Sequence, residues 1–438
     1  MANTRFRQSV QEPLYSAITL EVALTNVCKQ NDTNFDGSSL GESDTLMTQQ
    51  QAFSCFVNKL AQVCDNRRRG KTTTSFVVLQ GDTGPVYVFA SNQRTEAELV
   101  QTQVFVSSLL RFVGDNATEL PRRTLEKQVL WRVMSFNLPR IEQYLDGVNK
   151  YLDKCMEDCQ RRGGSQDGKL VLFRIAYLFK TRFDSTALDS GLQRDLHYLK
   201  NRANFPRDFL APGNARDKSK DGEFANSEIW CELRHYLGRL LSYRRAAETI
   251  VAFSVRWPGL FQHFQVQWIP SSTRIPKPIS NTSLTAKDII CSMVKESEGL
   301  EGYVSQAETS QMFNLDKSIQ KQIAKKTFFP YVHAEVELHN WLLAQGYVHR
   351  NQFWNEWKYI GCSKPTCRLC SYYFNAHPDQ VQVRQSHFNL YPNWRLPDVF
   401  ESQGPAAVRM RLEILQTLTD KVRSDALRTL DEKVPRGK

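Results

Sequence analysis

What the chain lacks narrows it first. Its 438 residues hold no apolar run approaching the ~20 residues of a membrane span, so no spanning helix is expected. The N-terminus has neither a contiguous apolar core nor a small-residue cleavage site, which excludes a secretory signal. The sequons at Asn31, Asn116 and Asn281 then carry no weight. A nucleophile elbow, a dinucleotide fingerprint and a glycine-rich phosphate loop are all missing, which removes three common enzyme classes. There is no internal repeat and no low-complexity domain. Ten cysteines without a leader read as the reduced thiols of an intracellular protein, cytoplasmic or nuclear, rather than as a disulfide framework.

What is present is the composition of a globular protein of roughly two to three domains. The formal charge is +11 and the isoelectric point near 9.1. That permits an anionic partner without establishing one. The basic clusters at 67–71, 122–123, 161–162 and 244–245 could track phosphates or simply face solvent.

Helical spacing is expected over the first thirty residues and over 46–65, with a polar Gly/Ser-rich loop at 31–45 between them. Phe76-Val77-Val78-Leu79 and Val86-Tyr87-Val88-Phe89 flank Gly81-Asp82-Thr83-Gly84-Pro85, which predicts a β-hairpin closed by Ala90-Ser91-Asn92. From 96 to 258 the pattern is helical, with a break at Pro139, loops at 161–168 and 212–226, and an unassigned apolar run at 171–179. Residues 268–282 carry three prolines and several serines and read as a linker. Helices are expected over 286–296, again before Pro330, and over 408–428 ahead of a basic tail.

The chemistry is concentrated between residues 330 and 396. His333-Ala334-Glu335 opens a helix whose stripe is Ala334, Leu338, Trp341 and Leu342, with Gly346 placed to end it. Two residues apart, His333 and Glu335 can converge only at a first helical turn that faces a pocket. Lys358-Tyr359-Ile360-Gly361-Cys362 reads as a short buried strand. Cys367 and Cys370 then share one face at the start of a second helix, where the helix terminus favours thiolates. One imidazole and two thiolates leave a fourth metal position for water, which is how a catalytic zinc site is built. Glu335 is then free to move protons.

The HAE…CSKxxCxxC pattern resembles the divergent branch of the nucleic acid/nucleotide deaminase superfamily found in fungi and bacterial toxin systems. Gln385-Ser386-His387 and Tyr391-Pro392-Asn393-Trp394-Arg395-Leu396-Pro397 also fit that branch. The resemblance covers about 328–398. Most deaminases place proline directly before the first cysteine of the pair, whereas Thr366 intervenes here. The fold implied is a three-layer α/β/α sandwich with a mixed sheet of about five strands, joined to a large, mainly helical region. It implies zinc bound by His333, Cys367 and Cys370, Glu335 as the proton carrier, and a nucleobase-containing substrate, free or within nucleic acid. No membrane partner is expected.

The superfamily sheet begins with a hairpin ahead of the HxE helix, and only residues 75–91 supply one. The expected organisation is N-terminal helices and hairpin over 1–95, an inserted helical region over 96–270, a linker over 271–285, and the zinc segment with its C-terminal helix over 286–438. Asn92 would then match a substrate-contacting asparagine, and His387 and Trp394 could line the pocket or simply pack. A rival reading makes Cys362 a fourth zinc ligand, which would close the site and leave a non-catalytic, partner-binding module. His339 reads as a packed or surface histidine, Cys155 and Cys159 as buried free thiols, and Cys28, Cys55, Cys64, Cys231 and Cys291 as core.

Overall fold

The computed structural model describes residues 3–4, 8–27, 48–68, 70–161, 227–295, 299–400 and 403–433. The expectations for the 31–45, 161–168 and 212–226 loops, the 171–179 run, the basic tail, and Cys28, Cys159 and Cys231 fall on residues or side chains outside that set.

The centre is a five-stranded mixed sheet. Strands β2 (Thr74–Gln80) and β3 (Pro85–Ser91) form the antiparallel hairpin, in register from Thr74 opposite Ser91 to Gln80 opposite Pro85. On one side β3 pairs in parallel with β4 (Gln265–Trp268). On the other, β2 pairs antiparallel with β5 (Tyr359–Cys362), through Ser75 opposite Cys362 and Phe76 opposite Gly361. A parallel partner, β6 (Gln382–Val383), lies beyond β5. The hairpin from the first hundred residues therefore lies edge to edge with the strand that precedes the cysteine pair. A separate two-stranded ladder joins β1 (Asn3–Thr4) to β7 (Val399–Phe400).

Both faces of the sheet are apolar because successive strand residues point to opposite sides and both sides are covered. Phe76, Val78, Tyr87, Phe89 and Tyr359 face one cluster. It is built by helices α2 (Gln49–Cys64), α3 (Glu96–Asn116), α4 (Arg122–Phe136), α5 (Leu138–Arg161) and α6 (Ser227–Arg256). Val77, Leu79, Val88, Ala90 and Ile360 face the other. That layer comprises α1 (Gln8–Val27), α7 (Ala286–Met293), α8 (Leu300–Thr309), α9 (Leu315–Ala324), α10 (Ala334–Ala344), α11 (Arg368–Ala376) and α12 (Gly404–Glu432). The result is an α/β/α sandwich with a large helical region, as the sequence implied. Among the described residues, no helix is long and apolar enough to cross a membrane.

Local chemistry explains several boundaries. Thr48 with Gln51, Thr95 with Glu98 and Thr285 with Asp288 form reciprocal capping boxes that start α2, α3 and α7. The break expected at Pro139 falls at Asn137, which ends α4 before α5 begins at Leu138. Gly361 lets α2 lie directly on β5. A Cβ there would meet Val57 Cγ1 at 2.5 Å and the Val57 carbonyl carbon at 3.0 Å.

Three sequence expectations change. Strand β4 lies in a region read as helical, because four residues with only Val266 buried carry no usable period. The proline-rich segment after it is docked rather than loose. Ser271 Oγ donates to Ser91 O and accepts from Arg94 N, Ser272 Oγ accepts from Val332 N, and Ile275 N donates to Pro330 O. Its bonds to Pro330 and Val332 reach the residues that lead into the first helix of the site. Cys291, read as core, is exposed on α7.

Candidate metal and catalytic site

The two helices that carry the candidate ligands begin at those residues. His333 is the N-cap of α10, with extended backbone (φ −73°, ψ 150°), and Cys367 is the N-cap of α11. His333 makes no side-chain cap bond. That leaves the Ala334 N–H needing another acceptor. Asn92 Oδ1 supplies it at 2.8 Å from the end of the hairpin, while Asn92 Nδ2 donates to Gly70 O at 2.9 Å. Cys367 caps its own helix, its Sγ accepting from Cys370 N at 3.5 Å.

His333 Nδ1 lies 3.5 Å from Cys367 Sγ and 3.4 Å from Cys370 Sγ, and the two sulfurs are 3.4 Å apart. All three residues are buried, and both cysteines are free thiols. Among the described residues, this is the group of three side chains positioned to hold a metal ion. Burial opposes charge on His333, but the neighbouring Cys367 sulfur raises its pKa above the ordinary value. Burial likewise works against a charged Cys367, yet the hydrogen bond with Cys370 and the positive imidazole bring that thiol well below its usual range. A buried imidazole facing a thiolate of lowered pKa is a soft donor set in search of a cation.

Glu335, on the first turn of α10, is buried in the same place, and burial raises its carboxyl pKa. Its Oε2 lies 4.0 Å from Cys362 Sγ. Cys362 falls outside the donor cluster, and burial followed by the Glu335 charge pushes its thiol up to about 12. It is a neutral thiol behind the carboxylate.

The structure gives three of the residues weighed from sequence definite partners. Asn92 bonds the protein through both ends of its amide and acts as a cap for α10. Trp394 is fully buried, with its indole N–H donated to Cys370 Sγ at 3.2 Å, so it is not a pocket wall. His339 is a packed histidine bonded to Tyr373 Oη and Asp379 Oδ2. His387 does stand near the site. Its ring centroid is 5.7 Å from that of Tyr391, which lies 6.5 Å from His333, and burial lowers its pKa. Tyr331, 5.3 Å from the His333 ring on another side, was not singled out from sequence. The departure at Thr366 has a structural use. Its hydroxyl donates to Arg384 O, and its carbonyl accepts from His387 N and Ser386 Oγ, tying the 384–388 segment to the mouth of α11.

Arg368, the first helical residue after Cys367, enters a buried ionic cluster. Its Nη1 is 2.7 Å from Glu21 Oε1 and 3.4 Å from Asp425 Oδ2, its Nε donates to Phe388 O, and Tyr372 Oη bonds Asp425 as well. Helices α1, α11 and α12 are joined there, one residue from a ligand.

A mixed sheet between two helical layers, with an imidazole, two thiols and a carboxyl meeting at two helix mouths, is the arrangement of a deaminase-like fold. Residues 332–398 match the family model of the OTT_1508-like deaminase, which supports a divergent member of the deaminase superfamily. No curated protein and no solved structure matches the chain.

Proposed function

We propose that the chain is a zinc-dependent deaminase that hydrolyses an exocyclic amine of a nucleobase, free or carried in a nucleotide or nucleic acid. The observation that carries this reading is the buried triangle of His333, Cys367 and Cys370 with Glu335 beside it. The triangle fits zinc. Tetrahedral Zn–S and Zn–N bonds of about 2.3 and 2.0 Å separate two sulfurs by about 3.8 Å and sulfur from nitrogen by about 3.5 Å. The sides here are 3.4, 3.4 and 3.5 Å. Bound zinc would supply Lewis acidity, making water acidic enough to act as a nucleophile near neutral pH.

The chain's own residues would do the rest. Glu335, with its pKa raised by burial, takes the proton from the attacking water, passes it to the ring nitrogen and then to the amine. Water oxygen replaces nitrogen on the ring carbon, and ammonia leaves. Tyr331, Tyr391 and His387 form an aromatic surround that suits a flat heterocycle. Reduced thiols at the centre fit an intracellular setting. A non-catalytic module with Cys362 as fourth ligand is the weaker reading, since its thiol sits on Glu335 and apart from the cluster.

Ammonia release across bases, nucleosides, nucleotides and oligonucleotides, with metal analysis of the same samples, tests the proposal. Glu335→Gln should keep one zinc and lose about 10²–10⁴-fold in rate, the usual worth of a positioned acid/base. Cys362→Ser should also keep its zinc. A Glu335→Gln variant within tenfold of the parent rate, or zinc lost with Cys362, would refute it.

A further inference from the structure

We infer that Trp394 is a positioning residue of the metal centre, its indole N–H orienting the Cys370 sulfur and setting the electron density that sulfur offers an ion. This rests on the metal reading above.

An indole N–H can only donate. Trp394 has no solvent exposure, so the N–H must find its acceptor inside the protein, and that acceptor is Cys370 Sγ at 3.2 Å. Beyond their contacts with each other and with His333, the two sulfurs are served by donors from different sources. Cys367 is served by the backbone N–H of its own helix at 3.5 Å. Cys370 is served by a side chain 24 residues further along the chain.

The indole is held in place from several directions. Tyr15 Oη donates to Trp394 O at 3.2 Å. Tyr331 N donates to Asn393 O and Arg395 N donates to Tyr331 O, bridging Trp394 to the backbone two residues before His333. Asn393 in turn accepts from Phe329 N and donates to Thr327 O. One short ladder therefore fixes both the approach to the imidazole and the donor to the second sulfur. A partner of that kind both aims a ligand and moderates its charge, and its loss commonly weakens metal binding tenfold to a hundredfold.

Cobalt(II) serves as a spectroscopic probe of the full chain, with zinc affinity measured by chelator competition. The variants are Trp394→Phe and, because the ring fills a buried site, replacement of Trp394 by benzothienylalanine, which keeps the bicycle and lacks the N–H. Without the hydrogen bond, the sulfur-to-cobalt charge-transfer band should move to lower energy, and zinc affinity should fall about tenfold to a hundredfold in both variants. Parent-like band energy and affinity in the benzothienylalanine protein would overturn the inference while leaving the metal site standing. A parent chain that takes up no thiolate-bound cobalt would overturn both.

Discussion

The helix that presents His333 and Glu335 is started by a residue some 240 positions away, and Asn92→Ala measures what that is worth. The substitution removes the acceptor of the Ala334 N–H and the donor to the Gly70 carbonyl, at a position 4% exposed. Losing an N-cap acceptor costs about 1 kcal/mol, and a buried polar group left unpaired costs about 1–3 kcal/mol. The opening of the first turn of α10 should therefore become easier by about 2 kcal/mol. At 1.4 kcal/mol per factor of ten, the amides of that turn should exchange hydrogen roughly 30-fold faster. Exchange followed by mass spectrometry on peptides spanning 330–342 reads this directly. Asn92→Asp keeps an acceptor for Ala334 and should retain most of the protection. If Asn92 were instead a substrate contact, Asn92→Ala would raise KM and leave exchange unchanged. Parent-like exchange in Asn92→Ala would refute the capping argument.

Two further outcomes follow from buried charge. Arg368→Met strands the Glu21 and Asp425 carboxylates, which are 0% and 3% exposed, and should cost about 3–5 kcal/mol in urea unfolding; a loss under 1 kcal/mol would contradict the role given to the cluster. Glu337, on α10 with Arg395, Asp398 and Arg411 nearby, has its carboxyl raised to about 7, chiefly by burial. A raised carboxyl favours the folded state while protonated, and that benefit is lost as pH climbs from about 4.5 through 7. Glu337→Gln should be nearly neutral at pH 5 and stabilising by up to about 3 kcal/mol at pH 8, and equal effects at the two pH values would exclude this burial.

The ligands and the hairpin were legible because each is a local pattern. His333 and Glu335 can converge only at a helix start, Cys367 and Cys370 need only helical spacing, and the hairpin announces itself by β-rich runs around a Gly/Asp/Pro turn. What could not be read is whatever depends on a partner remote in sequence. Asn92 was visible as a residue, but its bond to Ala334 crosses 242 positions. The indole of Trp394 could have served a pocket equally well, and only its 3.2 Å approach to Cys370 decides. The prolines and serines after Trp268 read as a linker, and composition does not show that Ser271 and Ser272 hold the hairpin end and the approach to His333.

These remote bonds bear on what the matched stretch can be without the rest of the chain. Residues 332–398 contribute β5 and β6 to the central sheet, and the inner edge of β5 is satisfied by β2 through Ser75 and Phe76. Without that partner, the strand carrying Cys362 would present unpaired backbone where it is now fully buried, which is costly for any strand. The opening N–H of α10 depends on Asn92, and the arginine behind Cys367 depends on Glu21 from α1 and Asp425 from α12. Every element that delivers a ligand is thus secured by at least one group outside the matched residues. The motif supplies the donors. Their mutual distances of 3.4–3.5 Å are a property of the whole chain, imposed by contacts drawn from both of its ends.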